Sequence, residues 1–189
     1  MIAMLGLGLA ASFATADTLV YTYTFDQNTN SYGALGDANN VVINLDLGTI
    51  FAGYENFEMS GVGWDVELEA FSPSWLSEIG VQFNESTGLG TEWISLNPGV
   101  GSDNSGVESF SNAMVTFSSV SLPNIVLNPD NVLRMELFES FDDSSVAPDG
   151  QWLAGSTLEL QFEAQAVPEP ATMAVLGLGA AALLRRRRK

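Results

Sequence analysis

Apolar and polar residues alternate along most of the chain between residues 17 and 166. The clearest case is the segment 62–70, in which every second residue is apolar and Asp65, Glu67 and Glu69 occupy positions between them. A two-residue period places alternate side chains on opposite faces of an extended strand. No segment of this region has apolar residues at the spacing of an amphipathic helix. The pattern therefore predicts an all-β domain built from half-buried strands.

Polar, glycine-rich or proline-containing segments separate the predicted strands. The loops are expected at 26–40, 99–106 and 141–150, and turn signals follow at Asn97-Pro98-Gly99 and at 128–131. Short strands at regular spacing, each with one solvent-exposed face, favour an antiparallel β-sandwich of the jelly-roll type. We predict strands at 18–25, 41–47, 50–52, 62–70, 79–83, 93–96, 113–120, 125–127, 132–138 and 158–164.

Charge is distributed very unevenly along the chain. Residues 17–166 contain 22 acidic residues and a single basic one, Arg134, which gives this part a net charge of −21. Such a surface repels nucleic acid and anionic lipid, so neither is expected as a partner of the body. A cation, a salt-rich medium or simple solubility outside the cell are all compatible with it.

The chain contains no cysteine and no histidine. It therefore has no disulfide framework, no thiol chemistry, no Ser-His-Asp or Cys-His system and no ordinary zinc site. These absences favour a protein without catalytic activity.

The N-terminal segment 1–16 has the pattern of a secretory signal peptide. An apolar run at 2–11 precedes Ala14 and Ala16, which supply the small-x-small cleavage pattern. Cleavage after Ala16 would start the mature chain at Asp17. No basic residue precedes the apolar run, and this departure favours a start further upstream.

The C-terminal 167–189 segment has three parts in a fixed order. It opens with the stiff, non-helical tetrapeptide Val167, Pro168, Glu169 and Pro170. An uncharged, mainly apolar run follows at 171–184. Five consecutive positive charges then end the chain: Arg185, Arg186, Arg187, Arg188 and Lys189.

This tail resembles the PEP-CTERM sorting signal of bacterial surface proteins. The resemblance implies export by the secretion machinery, recognition by an exosortase-type membrane enzyme and processing near the Pro-Glu-Pro motif. It also implies release or transfer to the cell surface or to extracellular polymer. An uncleaved membrane anchor is the alternative interpretation of the same residues.

The length of the apolar run agrees with a short transmembrane helix. Fourteen residues span about 21 Å as a helix, whereas the hydrocarbon core is ~30 Å thick. Snorkelling arginines and local thinning of the bilayer make up the difference. The basic block should stay in the cytoplasm, with the body outside. We therefore predict a signal peptide at 1–16, a sandwich domain at 17–166 and a sorting signal at 167–189.

Two kinds of binding site are candidates within the body. Hard cations prefer several oxygen ligands, and the acidic loop predicts a calcium site at Asp142, Asp143 and Asp149. Exposed tryptophans at strand ends or in loops, here Trp75, Trp93 and Trp152, are candidates for stacking on sugar rings. Trp64 lies on the inward register and is expected in the core.

Parts of the body resemble P-domain-like jelly rolls in their loop composition, notably 101–106 and the run from Asp142 to Trp152 and on to 158–162. The resemblance carries over no catalytic residue. We expect an exported protein of the cell surface or exopolysaccharide with a structural or binding role and no catalysis. A calcium-dependent carbohydrate-binding module is the alternative, and a glycoside hydrolase, which needs only two suitably placed carboxylates, is third.

Overall fold

The computed structural model describes residues 15–143, 148–167 and 177. Within them the chain forms eleven strands, one short α-helix and two 3₁₀ helices, Leu76–Glu78 and Phe117–Val120. The other elements are β1 (Ala16–Thr24), β2 (Thr29–Ser31), β3 (Val42–Asp46), α1 (Leu47–Ile50), β4 (Tyr54–Ala70), β5 (Ile79–Glu85), β6 (Ile94–Leu96), β7 (Gly106–Thr116), β8 (Ile125–Val126), β9 (Val132–Glu139), β10 (Gly150–Trp152) and β11 (Thr157–Ala166).

The strands form two antiparallel sheets. The larger sheet has the order β1-β11-β4-β10-β2, with β7 and β8 also paired to β4, and the smaller one has the order β3-β9-β5-β6. The two sheets contain eight principal strands: β1, β3, β4, β5, β6, β7, β9 and β11. When these eight are renumbered from 1 to 8 along the chain, the larger sheet has the order 1-8-3-6 and the smaller sheet has the order 2-7-4-5. These orders are two interleaved Greek keys, so the fold is a jelly-roll sandwich, as predicted.

The 17-residue strand β4 runs the full length of the larger sheet. One of its edges pairs with β11 and then with β10, while the other pairs with β8 and then with β7. Register shifts in the pairing of β4 with β11 and with β7 mark bulges or irregularities, which bend strands and increase their twist. Every other strand of the larger sheet is therefore placed directly or indirectly by β4.

The core lies between the inner faces of the two sheets, where many of the alternating apolar residues are buried. On β4, Val66 and Leu68 are buried while Asp65 and Glu67 are exposed, in agreement with the sequence pattern. Facing them are buried residues of the smaller sheet, including Val81, Phe83, Leu133, Met135 and Leu137.

Trp152 fills the core beneath β10. It is fully buried and stacks on Phe25, with ring centroids 5.2 Å apart and planes within 16°. Tyr23 in turn meets the Phe25 ring edge-on at 5.1 Å. Burial of these rings accounts for much of the apolar area that one end of the sandwich removes from water.

A predicted strand at 50–52 is wrong. Residues Leu47–Ile50 form α1, because the Asp46 side chain caps this turn by accepting hydrogen bonds from the Thr49 N–H at 3.1 Å and the Thr49 hydroxyl at 2.7 Å. Capping by an aspartate satisfies a backbone donor that an extended chain would leave for a sheet partner. The predicted loop at 26–40 also contains the short strand β2.

The predicted strand at 113–120 has the wrong limits. Strand β7 begins at Gly106 and ends at Thr116, and residues Phe117–Val120 continue as a 3₁₀ helix. Within the predicted range, Ala113 is exposed, whereas Phe117 is buried. Most of β7 is exposed along its length, so its sequence lacks the apolar alternation by which the other strands were found.

Replacing Trp152 should test how much the core depends on this ring. We expect Trp152→Ala to lower the free energy of unfolding by about 3–5 kcal/mol, since it leaves a large cavity. The matched control Trp93→Ala removes a ring that is 55% exposed and should change it by less than about 0.5 kcal/mol. Denaturant unfolding of the full chain measures both; equal effects would contradict the packing described here.

Candidate functional site

Two exposed aromatic side chains face one groove at an end of the sandwich. The groove has a volume of about 450 Å³ and is lined by Pro73, Trp75, Glu78, Phe141 and Asp143. Trp75 is 46% exposed and Phe141 is 61% exposed. Concave sites lined by aromatic side chains with a few polar groups are the usual form of small-ligand sites, which makes this groove a candidate.

Trp75 is positioned by the turn that follows it. Its backbone N–H donates a hydrogen bond to Glu78 Oε2 at 2.8 Å, so the carboxylate and the ring are held on the same short 3₁₀ helix. The next residue, Leu76, is fully buried, and its N–H donates to the Asn104 carbonyl at 3.0 Å. The aromatic ring therefore projects from a well-anchored turn.

The other wall of the groove follows the end of β9. The Ser140 N–H donates to the Glu78 carbonyl at 2.9 Å, which ties the two walls together. One residue further on, Phe141 is exposed, and the Asp143 N–H donates to Asp149 Oδ2 at 2.8 Å. The groove thus has two aromatic faces and two carboxylates held by backbone contacts on both sides.

The chemistry of this groove suits a ligand with both apolar and hydroxyl-bearing faces. The rings of Trp75 and Phe141 offer flat apolar surfaces, while Glu78 and Asp143 offer oxygens that accept hydrogen bonds. Its volume is within the range of small-ligand sites. Sugar residues of a polysaccharide have both kinds of surface.

The groove lies at the end of the sandwich opposite the exit of the C-terminal tail. Ala70, the last residue of β4, leads into the groove turn, whereas Tyr54, its first residue, pairs with Ala166 at the end of β11. Val167 donates its N–H to the Gly53 carbonyl at 2.8 Å and is the last residue described before the tail. A straight strand of this length would span about 50 Å, and the irregularities in β4 bring its two ends closer together than that.

The three aspartates predicted to bind calcium do not form a calcium site within the described residues. Asp142 and Asp143 are exposed, whereas Asp149 is buried and accepts the hydrogen bond from Asp143. No group of three or more Asp, Glu, His or Cys residues is placed to hold a metal ion in the part of the chain that is described. Asp143 also lines the aromatic groove.

Trp152 was wrongly predicted as a sugar-stacking residue. Its ring is fully buried because β10 carries it inward between β4 and β2, so no face is open to a ligand. Trp64 packs against the core and is only partly buried; it lines a polar groove of about 480 Å³ on the larger sheet. Trp93 is exposed but does not line the groove that contains Phe141, whereas Trp75 is exposed and lines it.

A buried acid that the sequence pattern did not single out lies at the same end of the sandwich. Glu139 is fully buried at the end of β9, and its Oε1 accepts a hydrogen bond from the Ser31 hydroxyl at 2.5 Å. Burial raises the pKa of Glu139 to about 8, and the charges of Asp149, Glu78 and Asp143 add to the rise although the Ser31 hydrogen bond opposes it. Its other oxygen has no hydrogen-bond partner among the described residues. Glu139 lies two residues after the inward-facing Leu137, so the two-residue period of the strand could have predicted that it points inward.

The two targeting segments lie mainly outside the described residues. This holds for Ala14 and residues 1–13, for Pro168, Glu169 and Pro170, and for the basic block from Arg185 to Lys189. Ala16 is described and is the first residue of β1. None of the helices within the described residues is long and apolar enough to cross a membrane.

A protein-family model described as the PEP-CTERM protein-sorting motif matches residues 166–189. The chain therefore carries this sorting motif, as its tail predicted. The motif implies that the protein is exported and is anchored in the membrane through its C-terminus before an exosortase processes it. No curated protein matches the sequence.

Several solved virus structures match most of the chain at low similarity. A chain of the T13 infectious bursal disease virus particle is 14% identical, with a TM-score of 0.37, over 87% of this chain and 40% of that one. Desmodium yellow mottle tymovirus gives 10% identity and 0.31, over 89% of this chain and 97% of that one. Mud crab tombus-like virus gives 9% and 0.33, over 93% and 92%. At these scores the jelly-roll assignment rests on strand order alone.

Substituting Glu139 should change how stability depends on pH. Its pKa is raised on folding, so its contribution is fully present below the unfolded pKa of about 4.5 and is lost as pH rises towards about 8. Glu139→Gln removes this loss, and we expect the variant to gain on the order of 3 kcal/mol relative to wild type between pH 4.5 and 8. Denaturant unfolding at several pH values measures the gain.

The control substitution is Glu136→Gln, on the same strand, where folding shifts the pKa in the opposite direction. The pKa of Glu136 is lowered: burial opposes the shift, but hydrogen bonds from Asn40, Gly36 and Arg134 outweigh it. Wild type should therefore lose its advantage over Glu136→Gln as pH falls through the acid range. Parallel pH profiles for wild type and Glu139→Gln would contradict the assignment of a neutral Glu139.

Proposed function

We propose that this chain is an exported, non-catalytic protein of the cell surface or exopolysaccharide that binds a polysaccharide in the Trp75–Phe141 groove. The observation that carries the proposal is the pair of exposed aromatic rings beside two carboxylates, at the end of the sandwich remote from the tail. While the tail is in the membrane, this arrangement directs the groove away from the bilayer and towards extracellular polymer.

The charge of the body narrows the class of polysaccharide. Residues 17–166 carry a net charge of −21, and the groove itself contributes Glu78 and Asp143. An anionic polymer would be repelled both at long range and at the site. We therefore infer a neutral polysaccharide, whose hydroxyl groups donate to the carboxylates while its ring faces stack on Trp75 and Phe141.

Sorting follows from the tail. In this proposal an exosortase-type membrane enzyme recognises Val167, Pro168, Glu169 and Pro170 after the secretion machinery has exported the body. The basic block at 185–189 stays in the cytoplasm. Processing at the motif then frees the body from the membrane and leaves it at the cell surface or in the extracellular matrix.

The arrangement of acids favours binding over hydrolysis of the polymer. A glycosidase needs a proton donor with a raised pKa beside the scissile bond. Glu139 has the raised pKa, but it is fully buried and does not line the groove. Calcium dependence is likewise not part of the proposal, since the three predicted aspartates are not placed together to hold a metal ion.

Aromatic substitutions test the groove directly. We expect Trp75→Ala and Phe141→Ala each to weaken binding about tenfold or more, because stacking area is lost, with no change in melting temperature beyond about 2 °C. The probes are soluble β-1,3-glucan, hydroxyethylcellulose, xylan and galactomannan, measured by calorimetry with the detergent-solubilised full chain. Trp93→Ala, which removes an exposed ring outside the groove, is the matched control and should bind like wild type.

Four results would contradict this proposal. Wild type that binds none of the four polymers, or variants that bind as well as wild type, would exclude the groove as their site. Loss of binding on addition of a chelator would show that polysaccharide binding depends on calcium. Shortening of a bound polymer would show that the protein hydrolyses it.

Removing the prolines tests the sorting step. We expect Pro168→Ala combined with Pro170→Ala to retain the basic tail, because the stiff, non-helical segment before the apolar run is lost. Intact-mass measurement of the protein in the membrane and surface fractions reads this out. A surface protein with the same mass in wild type and the double variant would contradict processing at the motif.

A further inference from the structure

Strand β1 leaves one long edge of the larger sheet without a backbone partner among the described residues. All nine of its residues, Ala16–Thr24, pair with β11 on one side in an unbroken register from Ala16–Gln165 to Thr24–Thr157. Its inward residues Leu19, Tyr21 and Tyr23 are half-buried. Its outer backbone groups therefore form a ready template for another strand.

This edge lacks the features by which proteins usually prevent strand pairing. Asp17, near the start of the strand, is its one charged residue; between Thr18 and Thr24 there is no charged residue and no proline, and the pairing with β11 shows no bulge. Val20 is 53% exposed at its middle. The other long edge, β7, carries Glu108, and a register shift interrupts its pairing with β4. The central part of β1, from Thr18 to Thr24, is regular and uncharged, and such an edge favours pairing with a second strand.

We propose that β1 pairs antiparallel with β1 of a second copy of this chain, so that the two larger sheets become one continuous sheet. The sequence is nearly self-complementary in this arrangement. With the two-fold axis at Val20, Val20 faces Val20, and Thr18 of each copy faces Thr22 of the other. Cross-strand pairs of β-branched residues suit this geometry.

The acidic charge of the body permits this contact at β1. On the outer face the nearest carboxylates are Glu159 and Glu163 of β11, which lie opposite Thr22 and Thr18. In the paired sheet the carboxylate rows of the two copies are three strand spacings apart, about 14 Å. This exceeds the screening length of ~8 Å at physiological ionic strength. Pairing should therefore strengthen as salt is added.

Antiparallel pairing also restricts where the dimer can form. Ala16 lies beside the tail exit of its own copy, because it pairs with Gln165. In the dimer Ala16 of each copy lies near Thr24 of the other, so the two tail exits point in opposite directions. Two copies anchored in one membrane cannot adopt this arrangement. The dimer thus belongs to the chain freed from the bilayer, and, if the proposed function holds, it presents two polysaccharide grooves at opposite ends.

The absence of cysteine from the sequence makes the test specific. Single-cysteine variants at the outward positions Thr18→Cys, Val20→Cys, Thr22→Cys and Thr24→Cys are oxidised with copper phenanthroline. We expect a covalent dimer, maximal for Val20→Cys, in the detergent-solubilised full chain, and at least fivefold less in native membranes. Val107→Cys is the matched control, since Val107 is 54% exposed on the other long edge.

Light scattering of uncrosslinked protein gives an independent measurement. Val20→Glu should place two like charges together and shift the solubilised chain to monomer, whereas Val107→Glu should leave the dimer intact. Crosslinking at β1 no greater than at Val107→Cys, or a monomeric wild type at high salt, would overturn the proposal. Equal crosslinking in membranes and in detergent would overturn its restriction to the freed chain. None of these readouts depends on polysaccharide binding.

Discussion

The pairing of β4 with its neighbours is the constraint on which the rest of the structure depends. This single strand pairs with β11 and β10 along one edge and with β8 and β7 along the other. Its alternate side chains, among them Val66 and Leu68, supply one wall of the core. Because it runs from one end of the sandwich to the other, it also fixes which loops meet at each end. The exit of the tail and the aromatic groove are therefore placed by the same element.

The two ends of the sandwich therefore have different roles in the proposed function. The C-terminal segment carries the sorting motif, and β11 delivers it to one end of the sandwich. The opposite end collects Trp75, Phe141, Glu78 and Asp143 from two separate turns. In the proposed function, the strongly acidic body disfavours anionic partners. In this proposal, the groove faces outward while the tail is anchored and stays available after the tail has been removed.

Much of the fold could be predicted from sequence because its strands have one buried face. Alternation identified β1, β3, β5, β9, β11 and the second half of β4, and their regular spacing indicated the jelly roll. It failed for β7, which is exposed on most of its length, and at α1, where the Asp46 cap outweighs the apolar run. Alternation also cannot show which loops converge. Trp75 and Asp143 were each predicted as site residues for different reasons, and only the turns that hold Glu78 and Ser140 bring them into one groove. Strand β10 has only three residues and was not predicted, so the burial of Trp152 at its end was not predicted either.

The outward presentation of the groove can be measured in the uncleaved, membrane-anchored chain. A donor dye is attached to Ser105→Cys near the groove or to Ala52→Cys beside the tail exit, and energy transfer to an acceptor lipid in the bilayer is recorded. Both positions are exposed, and they lie at opposite ends of the larger sheet. Strong transfer from position 52 and little from position 105 is the expected result. Equal transfer, or stronger transfer from position 105, would contradict a groove that faces away from the membrane.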